Sequence, residues 1–237
     1  MISISGLDYH FDSRQVLKSL NLNVPEGIIH SLIGTTGAGK TLTLKLIAGL
    51  IPLQTGKVAK GSNDISFVFQ QNSFLPWLTM QENLKSSLGD FTEELDQAIA
   101  QLNLSLFLTS HPKELSGGTL QKFALVRAFA KKSKIILLDE PFSHLDIIQK
   151  EDLYKTMINL WQDYRPTLLL VSHDIDEVLL LSHSISFLSL KSKQISSRID
   201  IRHFDEVPQI TLSQFRQDKS NYQLFEKLLG LLREDLT

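Results

Sequence analysis

Gly34 to Thr41, GTTGAGKT, is the stretch whose residue types and spacing can do chemistry most directly. It fits the phosphate-cradling pattern G-x-x-x-x-G-K-[ST]. Gly34, Gly37 and Gly39 permit backbone angles and close approaches that a Cβ would block, and Thr35, Thr36 and Ala38 fill the turn between them. Such a turn aims successive N–H groups at an anion, and the helix after it adds its positive N-terminal end. Lys40 has the reach for β- and γ-phosphates, and the Thr41 hydroxyl can ligate Mg²⁺. A second group of residues lies far downstream. Asp139 and Glu140 close the apolar run IILLD and precede Pro141. A carboxylate at the end of a buried strand can hold Mg²⁺ beside phosphates, and its neighbour can polarise an attacking water. The plainer reading of this pair is a turn or a helix N-cap. Ser116, Gly117 and Gly118 open another helical pattern and present N–H groups and a hydroxyl suited to an anion, or simply a serine cap. His173 follows the run TLLLVS, where it is either structural or a hydrogen-bond partner of a γ-phosphate. The chemistry common to these groups is phosphoryl transfer from a nucleotide.

Positioning them requires strands that end together. Ile28 to Ile33, Ile65 to Phe69, Lys134 to Asp139 and Thr167 to Val171 are apolar runs that read as buried strands, each followed by a turn and a helical pattern. That alternation predicts an α/β fold with a largely parallel sheet, its ligands at the carboxyl ends where Gly34, Gln70, Asp139 and His173 fall. Ile2 and Ile4 alternate with serines, and Leu20, Leu22 and Val24 alternate with polar residues, predicting half-buried antiparallel strands near the N-terminus. Helical patterns at Met80–Leu88, Thr92–Leu102 and Thr119–Lys131 predict an inserted helical subdomain over 71–132, dividing a core formed by 1–70 and 133–237. Further helices are predicted at Ile147–Asp163, Asp174–Leu181 and Leu212–Glu234, and further strands at Ile185–Leu190 and Gln194–Ile201.

Composition narrows the function classes. A net charge of −2 over 237 residues provides no basic field for nucleic acid. With no cysteine, disulfides, zinc–thiolate sites and thiol nucleophiles are excluded. The N-terminus lacks the basic and apolar regions of a signal peptide, and no apolar run approaches the roughly 20 residues needed to span a bilayer, so any membrane role is expected to run through a partner.

Taken together, the motifs resemble the nucleotide-binding subunit of an ABC transporter, from the N-terminus to about Leu190. GTTGAGKT resembles the Walker A loop, LSGGT (Leu115 to Thr119) the signature motif, IILLDE the Walker B strand, and Ser143 to Asp146 the D-loop. The resemblance implies a P-loop NTPase core with an antiparallel β-subdomain and a helical signature subdomain, and ATP and Mg²⁺ as cofactors. It implies that Glu140 is the catalytic base, with Lys40, Gln70 and His173 assisting, and that Thr41, Gln70 and Asp139 serve the metal. Phe11 is similar in placement to the aromatic that stacks on adenine, with Tyr9 as the alternative. A homodimer is implied in which Ser116, Gly117, Gly118 and Asp146 of one copy complete the other's ATP site. Phe74, Leu75 and Trp77 are expected to receive a permease, and LPWLT followed by Glu82 and Asn83 is similar to importers of the nitrate, sulfonate and taurine group, which work with an external solute-binding protein. An exporter or lipid-extracting ATPase is the alternative, and a non-transport ATPase the least favoured. Leu42, Gln71, Thr119 and His144 depart from the family pattern. At Leu42 a second hydroxyl residue is usual, so one α-phosphate contact is expected to be lost.

Overall fold

The computed structural model describes residues 1–70, 73–90, 92–143, 145–201, 217 and 219–237. Gln71, His144 and most of the expected segment before residue 219 lie outside the described residues. The strands are β1 Ile2–Phe11, β2 Arg14–Val24, β3 Ile29–Ile33, β4 Lys57–Lys60, β5 Ile65–Val68, β6 Ile135–Asp139, β7 Thr167–Ser172, β8 Ser184–Leu188 and β9 Ile195–Asp200. The helices are α1 Lys40–Ala48, α2 Met80–Leu88, α3 Glu93–Gln101, α4 Gly117–Ala130, α5 Ile147–Tyr164, α6 Ile175–Leu181 and α7 Lys219–Leu236.

The larger sheet has the order β5-β6-β7-β3-β8-β9, parallel throughout except for the β8–β9 pair. Strands β3, β6 and β7 are buried at every position, as expected where helices cover both faces. Register aligns their carboxyl ends: Asp139 pairs with Val171, and Ile33 pairs with Ser172. Gly34, Glu140 and His173, each the first residue after its strand or next to it, therefore emerge along one edge. The smaller sheet, β2-β1-β4, is antiparallel. Its third strand, β4, is too short and too exposed, with burial on alternate residues only to an intermediate degree, to be recognised from periodicity.

Helices α2, α3 and α4 lie between β5 and β6, as the helical patterns predict. Their apolar faces do not form a core of their own. Met80, Leu84, Leu95, Ile99, Phe123 and Phe129 join one buried cluster with Ile136, Leu138 and Leu170 of the sheet. A second cluster, on the other sheet face, joins β1 and β2 to α1 through Ile2, Leu20, Leu44 and Ile47. α7 packs along α6 and buries Leu228. Among the described residues no helix is long and apolar enough to cross a membrane.

Candidate active site

The phosphate loop folds as its glycines require, for two separate reasons. Gly37 and Gly39 adopt φ of 87° and 104°, in the left-handed region. Gly34 is needed for space, because a Cβ there would lie 2.3 Å from the carbonyl oxygen of Leu188. Gly39 also starts α1 without any side-chain cap, and no acidic residue sits in the first turn. By contrast, α2 to α6 each begin with a side chain that accepts from the backbone: Thr79, Thr92, Ser116, Asp146 and Asp174. The first N–H groups of α1 are thus left for an anion.

Lys40 is buried, and its Nζ donates to the carbonyl oxygens of Gly34 at 2.8 Å and Thr35 at 3.1 Å. Burial pulls the ammonium below the usual lysine range, while Glu140 and Asp139 push back. Thr41 Oγ1 donates to Asp139 Oδ1 at 2.8 Å, across 98 residues of sequence. Asp139 is itself buried, which raises its pKa against the opposing pull of that hydrogen bond. Two oxygen donors proposed for a metal thus meet at one point, and among the described residues the carboxylate there makes no ion pair. This all-oxygen arrangement fits Mg²⁺, which takes one or two carboxylates and keeps water and substrate phosphate for the rest. No group of three or more His, Asp or Glu among the described residues could hold a metal alone.

Glu140 has φ of 46°, a left-handed conformation costing about 1 kcal/mol for a residue with a Cβ. Its N–H is anchored to the Val171 carbonyl at 2.9 Å. That turn brings the carboxylate between two partners. Gln70 Nε2 donates to Oε2 at 3.2 Å, and His173 Nδ1 lies 3.3 Å from Oε1. Glu140, Gln70 and His173 line a cleft of about 560 Å³ together with Phe11, Thr36, Gly37, Gly39, Lys40, Thr41 and Leu42. Phe11 is 52% exposed and faces this cleft, whereas Tyr9 is 8% exposed and packs edge-on against it at 5.1 Å. Of the two aromatics, Phe11 lines the cleft and Tyr9 does not.

Several expected site residues present no side chain to this cleft. The Thr35 hydroxyl turns away from the cleft and donates to Asp235 at 3.0 Å, and Ala38 is buried in the core beneath the loop. Gly34, Thr35 and Ala38 therefore have only backbone to offer a nucleotide. Ser116 caps α4, accepting from Thr119 N at 3.2 Å and pairing with the Thr119 hydroxyl at 2.9 Å. Ser116, Gly117, Gly118 and Asp146 do not line the cleft. They sit beside one another instead, a Cβ on Gly118 falling 3.2 Å from Gln149 Oε1 and one on Gly117 3.9 Å from Leu145. Asp146 caps α5 through Gln149 N at 2.9 Å.

The loop after Gln70 divides. Trp77 is 69% exposed and Leu75 39% exposed, but Phe74 is 8% exposed and lies under Arg127, 4.5 Å from its ring centroid. The expectation that Phe74 meets a partner is corrected: Arg127 also donates to the Ser73 carbonyl and hydroxyl, which fixes the loop and turns Phe74 inward. Two features escaped sequence reasoning. Arg14 and Val16, across the β1–β2 turn, line the cleft. Behind Glu140, Lys150 pairs with Asp174 at 2.7 Å and with Glu177 at 4.0 Å. Glu177 is fully enclosed, and burial raises its pKa from the ordinary 4.5 to about 8. A run of apolar residues around it, DEVLLL, gave the only sign of that enclosure.

Residues 17–143 match a family model described as ABC transporter. The chain belongs to the ABC transporter family. An aliphatic sulfonates import ATP-binding protein of Bacillus cereus (strain ATCC 10987 / NRS 248) is 34% identical, with 84% of this chain and 85% of that protein aligned. A relative of the same description from Frankia alni is 34% identical over 98% of this chain and 90% of its own length. A dimeric ATP-binding cassette, solved in a post-hydrolysis state with ADP and Pi, superposes with a TM-score of 0.74 at 27% identity, covering 86% of this chain and all of the other. The chain is accordingly an ABC-type ATPase with the α/β P-loop fold and an antiparallel N-terminal sheet.

Proposed function

We propose that this chain is the ATPase subunit of an importer for a small organic anion of the sulfonate type, and that it hydrolyses ATP with Glu140 as base. Its relatives' names as sulfonate import proteins support the solute class. The observation that carries the catalytic reading is the suspension of Glu140 between Gln70 and His173, in the same cleft as Lys40 and Thr41. A carboxylate so held can orient a water and take its proton, while Gln70 and His173 fix its rotamer. The uncapped N–H groups of α1 and the Lys40 ammonium meet the negative charge of the phosphates, and Phe11 stacks on the base. Thr41 and Asp139, with Gln70 nearby, would hold Mg²⁺, which when bound supplies charge neutralisation at the β- and γ-oxygens. We read 1–237 as one ATPase domain in which 71–132 carries the signature turn.

Because Ser116, Gly117, Gly118 and Asp146 lie off the cleft, the second half of each ATP site is assigned to another copy of the chain, head to tail. The exposed Leu75 and Trp77 are assigned to a transmembrane permease, which places the subunit on the cytoplasmic face, with an external solute-binding protein acting through the permease. Glu140→Gln tests the reading. ATP binding should persist with hydrolysis lowered about 10²–10⁴-fold, the range for loss of a general base. Hydrolysis at the parental rate would remove Glu140 from the mechanism. Stimulation of ATPase activity in the permease complex by alkanesulfonates, and not by unrelated solutes, tests the solute class.

A further inference from the structure

Asp235 sits in the last turn of α7, where a negative charge faces the helix's own carbonyl ends and is unfavourable. It is nevertheless buried. Its Oδ1 accepts from Ser189 Oγ at 2.6 Å and from Lys191 N at 3.3 Å. Its Oδ2 accepts from Leu190 N at 2.8 Å and from Thr35 Oγ1 at 3.0 Å. Four donors fill the lone-pair sites of one carboxylate. Hydrogen bonding to the charged form holds the group below the usual carboxylate range although burial opposes it. Beside it, Lys191 Nζ donates to the Glu234 carbonyl at 2.8 Å, supplying a cation at the helix end.

What this carboxylate joins is the first turn of the phosphate loop. Thr35 is bonded to Asp235 through its hydroxyl and to Lys40 Nζ through its carbonyl. Gly34, one residue earlier, runs close to the Leu188 carbonyl at the end of β8, with no room for a Cβ. The loop turn, the exit of β8 and the end of α7 thus meet at one buried charge, 200 residues from Thr35 in sequence. α7 is docked independently through Leu228 and its packing on α6.

We propose that Asp235 is a positioning residue for nucleotide binding, acting through the Thr35 hydroxyl to fix the loop turn whose carbonyls hold the Lys40 ammonium. The role rests on the nucleotide site proposed above. Thr35→Val removes the hydroxyl while keeping the side-chain shape. Asp235→Asn keeps the volume but sets an NH₂ against donors. Ser189→Ala removes an equal share of the Asp235 bonding away from the loop. Affinity for a fluorescent ATP analogue, KM and kcat for ATP, and thermal midpoints are measured on the full chain.

Thr35→Val and Asp235→Asn should each weaken binding and raise KM about three- to tenfold, the size of one ordinary net hydrogen bond, with kcat held within about twofold. The pair combined should lose no more than Asp235→Asn alone. Ser189→Ala should lower the thermal midpoint with KM within about twofold of the parent. Additive losses in the double variant, or equal KM changes in Thr35→Val and Ser189→Ala, would reduce Asp235 to a structural clamp and overturn the proposal. Should Asp235→Asn fail to fold, the contrast between Thr35→Val and Ser189→Ala decides alone. Failure of the parental chain to bind the analogue would count against the nucleotide site itself, a separate result.

Discussion

Two carboxylates that line one small pocket have opposite surroundings. Glu140 is partly open to the cleft and bonded to Gln70 and His173, so it can meet water. Glu177, on the inner side of His173, is closed off, and its Oε1 has no hydrogen-bond partner among the described residues. Desolvation dominates there, with Asp174 adding like charge and Lys150 offsetting part of it. With a folded pKa near 8 against an ordinary 4.5, the folded chain holds a proton at Glu177 that the unfolded chain releases. The stability this lends is complete below pH 4.5, is lost as pH rises, and is gone above 8. Glu177→Gln should therefore flatten the fall in unfolding free energy between those two pH values in urea titrations. An unchanged slope would show that Glu177 ionises normally. Lys40 is biased the same way, toward its neutral form: burial pulls the ammonium below the usual lysine range, while Glu140 and Asp139 push back and two carbonyl oxygens accept from it.

Among the elements, the segment between Gln70 and α2 shows how one short loop serves two environments. Asn83 in α2 holds it from beneath, accepting from Leu75 N at 2.7 Å and donating to the Leu75 and Leu78 carbonyls, while Thr79 and Glu82 form a capping box at the start of α2. The frame leaves Trp77 outside and Phe74 inside. Phe74→Ala should cost about 3 kcal/mol in chemical denaturation, as a core aromatic does. Trp77→Ala should change stability by less than about 0.5 kcal/mol yet weaken co-purification with the permease. If Trp77→Ala left the complex intact, the docking surface would lie elsewhere. The contrast is one the sequence alone does not offer, since Phe74 and Trp77 are both large aromatics in a run of apolar residues, and it is Arg127, from distant α4, that lies over Phe74.

At the scale of the whole molecule, the turn at Ser116 to Gly118 does not line the cleft, and this shapes what one copy can do. The cleft gathers Phe11, Lys40, Thr41, Gln70, Glu140 and His173, whereas Ser116, Gly117 and Gly118 do not line it and Gly118 lies beside Gln149 of α5. ATP added to Glu140→Gln should shift the chain from monomer to dimer in size-exclusion chromatography with light scattering, and Ser116→Arg in the same background should abolish the shift. A monomer at all ATP concentrations would refute the shared site.

The sequence by itself determined the strand–helix order, the phosphate loop, the position of Asp139 and Glu140 at a strand's carboxyl end, and the nucleotide class. These are local signals: continuous apolar runs, glycines at fixed offsets and capping residues, all read within a few residues of one another. The tertiary structure alone decided which aromatic lines the cleft, which way Phe74 turns, that Lys150, Asp174 and Glu177 lie behind Glu140, and that Asp235 reaches Thr35. Each of those depends on side chains far apart in the chain being brought within hydrogen-bond or packing distance, and on burial changing the energy of a charge, neither of which leaves a periodic trace along the sequence.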